Sequence, residues 1–327
     1  MKILSCEIKG GDLRATILCE RADCARFGGA RGAVEGCIRL FAEEKELGTL
    51  ALPRVTRMDE KEDGTVEFDF DAAVPPEVEL GEVLGLEVYV PSDETPDLPV
   101  LRAAAERMRV EIPETYISRK IDGLMRQRLE DVAQRTGFTT LADMFAILRG
   151  ADVSLGLKTE ENALWDMAVA AADELSGARL RAHSTEEIVK IIAAALFGEE
   201  AEDKNGAIEK ALEQRAEQKQ RTDPETLAEE SFACYLRLSG KTESSLREEF
   251  REQATELVRF DLLIDEVARR ENLSLSDEEF NAALETIAGM YDMHPAEVIH
   301  WIGAETLRAQ LIRDKARAMI VDSAKRI

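Results

Sequence analysis

The chain is poor in the residues that build catalytic and metal centres. It has 3 histidines among 327 residues, and aromatic side chains make up 5% of it. His183, His294 and His300 stand in no HExxH or other ligand pair, and no serine or cysteine lies in a recognisable nucleophile motif. His183 and His294 each precede an expected helix start and His300 neighbours Trp301, so capping and surface roles are expected of them. Long apolar runs are also missing. The longest, Ile188 to Phe197, is interrupted by Lys190, well short of the roughly 18 apolar residues a membrane span needs. The opening MKILSCEIKGG has neither a long apolar stretch nor a cleavage pattern, so a signal peptide is not expected. Gly28, Gly29 and Gly32 suggest a phosphate loop, but no Lys-Ser/Thr follows and GxGxxG is absent. A flexible loop or helix start is the expected reading there. No cofactor and no catalytic residue is expected.

Charge, by contrast, is plentiful. Charged residues make up 33% of the chain and the net charge is −24. Such a surface repels DNA and anionic lipid, because both reward basic footprints. RNA contact would need a local basic patch. Arg21, Arg26 and Arg31 make the most basic short stretch of the N-terminal part, and Arg26, Phe27 and Arg31 are candidates for touching an acidic partner or RNA, with a plain solvated loop as the alternative. The 5 cysteines, Cys6, Cys19, Cys24, Cys37 and Cys234, are odd in number, which fits reduced thiols in a cytoplasm. Cys19-x4-Cys24 followed by Cys37 invites a zinc reading. The paired CxxC of a ribbon is lacking, however, and Cys6 and Cys19 fall at apolar positions of expected strands, so small buried hydrophobes are expected rather than a metal site.

Hydrophobic periodicity predicts an α+β N-terminal domain over residues 1–91. Ile3–Ile8 and Leu13–Leu18 alternate around Gly10-Gly11 as a hairpin, Arg31–Glu46 has helical spacing, and Leu50–Met58 and Thr65–Phe70 read as strands. Gly85–Val90 reads as a short final strand. The proline-bearing stretch 92–99 reads as a linker. Beyond it, over 100–327, the pattern predicts a mainly helical body, elongated and carrying arms. Leu98–Met108 and Pro113–Thr136 are its first helices, the latter with Ile117, Ile121, Leu124, Met125, Leu129 and Val132 on one side. Later starts are marked by Thr140/Asp143, Ser184/Glu187 and Ser276/Glu279 at capping-box spacing, by Asp223-Pro224, and by His294-Pro295 with Glu297. Gly150, Gly156, Gly177, Gly198 and Gly240 fall where helices should stop. Residues 199–205 read as an acidic loop. Ala207–Arg221 has only a thin stripe, Ile208, Leu212 and Arg215, and is expected to project rather than pack. Leu246, Phe250, Ala254, Leu257, Ile264, Val267, Phe280, Leu284, Ile287 and Tyr291 are expected core positions.

Three segments resemble the trigger factor family of ribosome-associated chaperones. Phe68–Pro91, FDFDAAVPPEVELGEVLGLEVYVP, is similar to the last strands of the family's N-terminal domain. Val110–Arg128, VEIPETYISRKIDGLMRQR, looks like its first arm helix. Lys241–Ile327, with Tyr235–Thr242 leading in, resembles its C-terminal helices. Together they cover about half the chain, in the family's order. The resemblance implies a chaperone without enzymatic activity, because residues after Pro91 leave no room for the family's FKBP-like isomerase domain. The family's ribosome-docking loop, G-F-R-x-G-K-x-P, is also absent, and Phe27-Gly28-Gly29-Ala30-Arg31 is a faint echo of it. The ribosome therefore stays an open partner without its usual docking motif. Residues from about 139 to 227 read as an extra helical insertion, an arm extension, a lid or a dimerisation element.

The expectation that results is a cytoplasmic, ATP-independent holdase whose helices shield exposed hydrophobic segments of unfolded or nascent polypeptides. Methionine-rich surface adapts to varied partners, so Met290, Met293, Trp301 and Ile302, with Ile117, Ile121 and Leu124 on the first arm, are the expected client contacts. An assembly scaffold for one folded partner is the alternative, and a homodimer stays open.

Overall fold

The computed structural model describes residues 1–47, 50–91, 95, 97–177, 185–197 and 205–327. His183, Ser184, Gly198, the acidic stretch 199–204 and residues 92–94 and 96 of the linker lie outside them. The described chain divides into two compact units, Met1–Ile121 with Arg251–Ile327, and Asp122–Phe250.

The first unit begins with strands β1 (Lys2–Lys9), β2 (Asp12–Cys19), β3 (Ala51–Glu60) and β4 (Val66–Ala73), an antiparallel sheet in the order β1-β2-β4-β3. Side chains alternate across a strand, so register decides which residues share a face. Leu13↔Ala72, Ala15↔Phe70, Ile17↔Phe68 and Cys19↔Val66 are cross-strand partners, and all eight are buried. Helix α2 (Ala30–Glu44) covers this face with Ala33, Val34, Cys37 and Phe41. Phe41 meets Phe70 edge-on at 5.5 Å. The opposite face carries Arg57, hydrogen-bonded to Asp69 (2.8 Å) and Glu67 (2.7 Å). On the outer strands β1 and β3, Leu4, Ile8, Val55 and Met58 are exposed. Cys6 is exposed as well, a correction to its expected burial: it sits on an edge strand that packs on one side only. Between β2 and α2 lies a six-residue helix, α1 (Arg21–Arg26), that periodicity did not indicate.

A second core of this unit draws on residues far apart in sequence. Val83 and Val88 pack with Val100, Leu101 and Ala104 of α3 (Asp97–Glu106), with Val258, Leu263 and Val267 of α10 (Glu243–Arg270), and with Ala316 and Ile320 of α13 (Ala304–Ser323). Residues 78–90, expected as the end of a separate N-terminal domain, thus contribute to a helical core. The short strand β5 (Glu79–Leu80) pairs with β7 (Met108–Arg109), and β6 (Glu87–Val88) pairs in parallel with β8 (Lys325–Arg326). Asp12 at the start of β2 caps α4 (Glu114–Ala133), accepting from the amides of Thr115 (2.6 Å) and Glu114 (3.1 Å). Gly11 makes room for this junction: it has φ +85°, and a Cβ there would stand 2.7 Å from the Pro113 ring.

The second unit is helical: α5 (Thr136–Leu155), α6 (Glu161–Gly177), α7 (Thr185–Phe197), α8 (Asn205–Arg221) and α9 (Pro224–Ser239). Its core holds Leu148, Ala151, Ala168, Ile192 and Ile208. Helix α8 packs in this core, contrary to its expected projection, with Ile208 fully buried and Ala211 and Arg215 4% and 6% exposed. Its stripe is thin because an arginine fills one of the inward positions. Thr140 and Asp143 do not start a helix either, since α5 begins at Thr136 and runs through Gly150. Asp143 serves Arg215 instead, and Gly150 lies opposite Ala211. Asp223 caps α9, and Gly156 and Gly240 close α5 and α9 in the left-handed conformation, as expected.

Candidate functional site

The final helices of the first unit carry the largest exposed apolar side chains. Helix α11 (Asp277–Met290) opens with a capping box of Ser276 and Glu279, and α12 (Pro295–Ile302) with one of His294 and Glu297. Phe280, Leu284, Ala288, Val298 and Leu307 form a small core between α11, α12 and α13. At about 100° per residue, Phe280, Leu284 and Ala288 share one stripe and Met290 falls off it by about a third of a turn. Met290 is 76% exposed and Tyr291 71%, the latter correcting an expected core position because α11 ends there. Trp301 (76%) and Ile302 (45%) end α12 uncovered, whereas Met293 is half-buried against the small core.

The other expected contacts are distributed differently. Ile117 and Leu124 on α4 are half-buried, and Ile121 is 3% exposed, so it is a packing residue and not an open surface. Arg26 and Arg31 are exposed. Phe27 is half-buried, with Arg26 stacked over it at 5.0 Å. Its ring is seated on α2: a Cβ at Gly36 would stand 2.6 Å from the ring, and one at Gly32 would stand 2.0 Å from the Phe27 carbonyl oxygen. The stretch read as a loop or helix start is therefore a fitted corner between α1 and α2.

Within the second unit the helices line a half-open pocket of about 690 Å³ that sequence reasoning missed. Phe145 and Trp165 line it, edge to face at 5.5 Å. Arg237 lies 4.5 Å over the Trp165 ring and donates to Glu161 (3.1 Å) and Asn162 (2.8 Å). Arg215 donates to Asp143 (3.0 Å) and to Glu230, and Lys219 to Asp143 (2.7 Å). Burial works against the Arg215 charge, but the Glu230 and Asp143 carboxylates more than offset it and hold its pKa above the ordinary value. Cys234, also in the lining, is pushed up to about 11 by burial, which makes it a poor nucleophile. Arg215 and Lys219 are thus paired with the carboxylates of Asp143 and Glu230. The only trace in the sequence was Arg215 on the stripe of α8.

Among the described residues no three His, Cys, Asp or Glu side chains group to hold a metal. His294 Nδ1 accepts from the Ala296 amide (3.2 Å) and His300 lies against Trp301, so both act locally. No helix among the described residues is long and apolar enough to cross a membrane.

The first unit thus combines a small sheet with helices whose ends carry exposed apolar side chains. Residues 205–322 match the family described as "Bacterial trigger factor protein (TF) C-terminus", a match that takes in residues 205–227 of the expected insertion. Trigger factor of Caldicellulosiruptor saccharolyticus is 33% identical over 98 residues, 29% of this chain and 22% of that protein. Trigger factor of Bacillus cytotoxicus is 26% identical over 292 residues, 81% of this chain and 64% of that protein. The chain thus spans about a fifth of the first of these relatives and under two thirds of the second. A solved trigger factor chaperone, described for promiscuous substrate recognition in folding and assembly, aligns over 98% of this chain and 99% of its own at 12% identity, with a TM-score of 0.34. Over residues 205–322 the chain is thus similar to the C-terminal part of the trigger factors.

Proposed function

We propose that this protein is a chaperone that holds apolar segments of unfolded or nascent polypeptides without nucleotide and without isomerase chemistry. The observation that carries this reading is the uncovered apolar end of α11 and α12, Met290, Tyr291, Trp301 and Ile302, within helices of the family-matching region. Large apolar side chains uncovered together are costly unless a partner covers them, and methionine adapts to partners of varied shape. Met293, Ile117 and Leu124 supply half-buried margins. The net charge of −24 keeps a loaded complex soluble. Arg26 and Arg31 remain the candidates for an acidic partner such as ribosomal RNA, with Phe27 setting the corner between them. Exposed apolar groups on separate elements, Val153 on α5 and Val55 and Met58 on β3 among them, favour a general holder over a scaffold with one compact patch.

The test is light scattering of several unrelated denatured proteins, with the full chain and with Met290→Ala/Trp301→Ala. Suppression of aggregation across clients is expected, weakened several-fold in the variant. Failure to suppress any client would overturn the reading. A prolyl-peptide isomerisation assay is expected to show the uncatalysed rate.

A further inference from the structure

Two cysteines of the sheet domain have no part in that reading. Cys19 ends β2 and Cys37 lies in the middle of α2, and both are fully buried. Their sulfurs stand 2.9 Å apart, inside the ordinary contact distance of two sulfur atoms, with the Cys19 thiol also within 3.6 Å of the Ala33 carbonyl oxygen. A disulfide bond is about 2.05 Å long, so closing this pair needs a movement under 1 Å. A metal does not explain the approach, because no third ligand joins the pair among the described residues. Ordinary packing of two small hydrophobes does not require the sulfurs to face each other.

We propose that Cys19 and Cys37 are a built-in dithiol that closes to a disulfide under peroxide or disulfide oxidants. With peroxide, one sulfur attacks an oxygen of H2O2, giving a sulfenic acid and one water. The second sulfur then attacks the first, its proton leaves with the hydroxyl as a second water, and the S–S bond remains. The peroxide takes up the two electrons that the thiols lose. Burial pushes both thiols up, so the step is slow in the closed fold, and the pair responds to sustained oxidant rather than to brief exposure. The bond would join β2 to α2 between cysteines 18 positions apart, with α1 and the Phe27-Gly28-Gly29 corner between them. Arg26, Phe27 and Arg31 would then sit inside or beside a covalent ring. The inference is independent of client holding.

The experiment uses the full chain. Arg14, Arg21, Arg26, Arg31 and Arg39 place Cys19, Cys24 and Cys37 on separate tryptic peptides, so the link can be read directly. The chain is equilibrated in glutathione redox buffers, both native and in denaturant, free thiols are alkylated, and the digest is analysed by mass spectrometry without reduction. Starting the native arm from reduced, denatured chain lets the bond form during refolding, so slow access to the closed fold cannot hide it. The expected result is a linked Cys19–Cys37 pair lighter by two hydrogens, formed at least tenfold more favourably in the native than in the denatured chain. It should persist in Cys24→Ser and vanish in Cys37→Ser. The melting temperature of the oxidised chain should rise and fall back with dithiothreitol. A predominant link through Cys24 or Cys6, or no native advantage over the denatured chain, would overturn the proposal.

Discussion

The sheet domain and the C-terminal helical end use apolar residues in opposite ways. Phe41, Phe68 and Phe70 are at most 1% exposed, and the Phe70 ring meets both of the others. In the helical end five residues close a small core, while Met290, Tyr291, Trp301 and Ile302 remain outside it. The first arrangement puts aromatic area into stability and the second leaves it available. Removing buried atoms costs both transfer free energy and a cavity, whereas removing exposed ones costs neither. The contrast is therefore open to direct attack by mutation.

The largest effect is expected from Phe68→Ala, about 3–5 kcal/mol by denaturant unfolding. A loss below about 1 kcal/mol would mean the sheet core is looser than its burial indicates. Arg215→Ala should cost about 2–4 kcal/mol by leaving Asp143 and Glu230 without their shared partner, whereas Arg215→Met should cost clearly less. Equal losses would show that charge pairing, not stem packing, holds α8. Gly36→Ala should cost about 1–3 kcal/mol, because the new methyl group meets the Phe27 ring. It should be partly rescued by Phe27→Leu, and the lack of any cost would remove the fitted corner. Acid should weaken the sheet domain first. Hydrogen bonds from Lys61 and Arg57 hold Glu67 below the usual carboxylate range, and those from Arg57 and Thr16 do the same for Asp69. Their contribution is complete above the unfolded carboxylate pKa values and fades as pH falls through the lower folded ones. Arg57→Ala should flatten that decline in an acid titration followed by circular dichroism. The smallest effect is expected from Trp301→Ala, within about 0.5 kcal/mol of the parent. A greater loss would make Trp301 a packing residue and sink its role as a contact.

Much of this contrast was legible in the sequence. Strict alternation marked β2 and β4 because one face of each is buried, and the caps at Ser276, Asp223 and His294 marked helix starts because their side chains complete open amides. What escaped depended on distant partners. Arg215 looked like a break in a stripe until carboxylates from α5 and α9 surrounded it. The β6–β8 pair is only two residues long on each side, too short for any period to show. Tyr291 continued a helical stripe in sequence, but the helix stops one residue earlier. Cys19 and Cys37 each read correctly as buried positions, while their facing sulfurs depend on how α2 crosses the sheet.

The pairing of Lys325–Arg326 with Glu87–Val88 also sets an order of events during synthesis. The core that holds Val83, Val88 and α3 includes α10 and α13, so it cannot close until residues beyond 320 have left the ribosome. The contiguous stretch Asp122–Phe250 can finish earlier, and the sheet of residues 2–73 earlier still. A growing chain would thus expose the apolar side of residues 78–105 through most of its own translation. Until the last residues arrive, that stretch has nothing of its own chain to pack against.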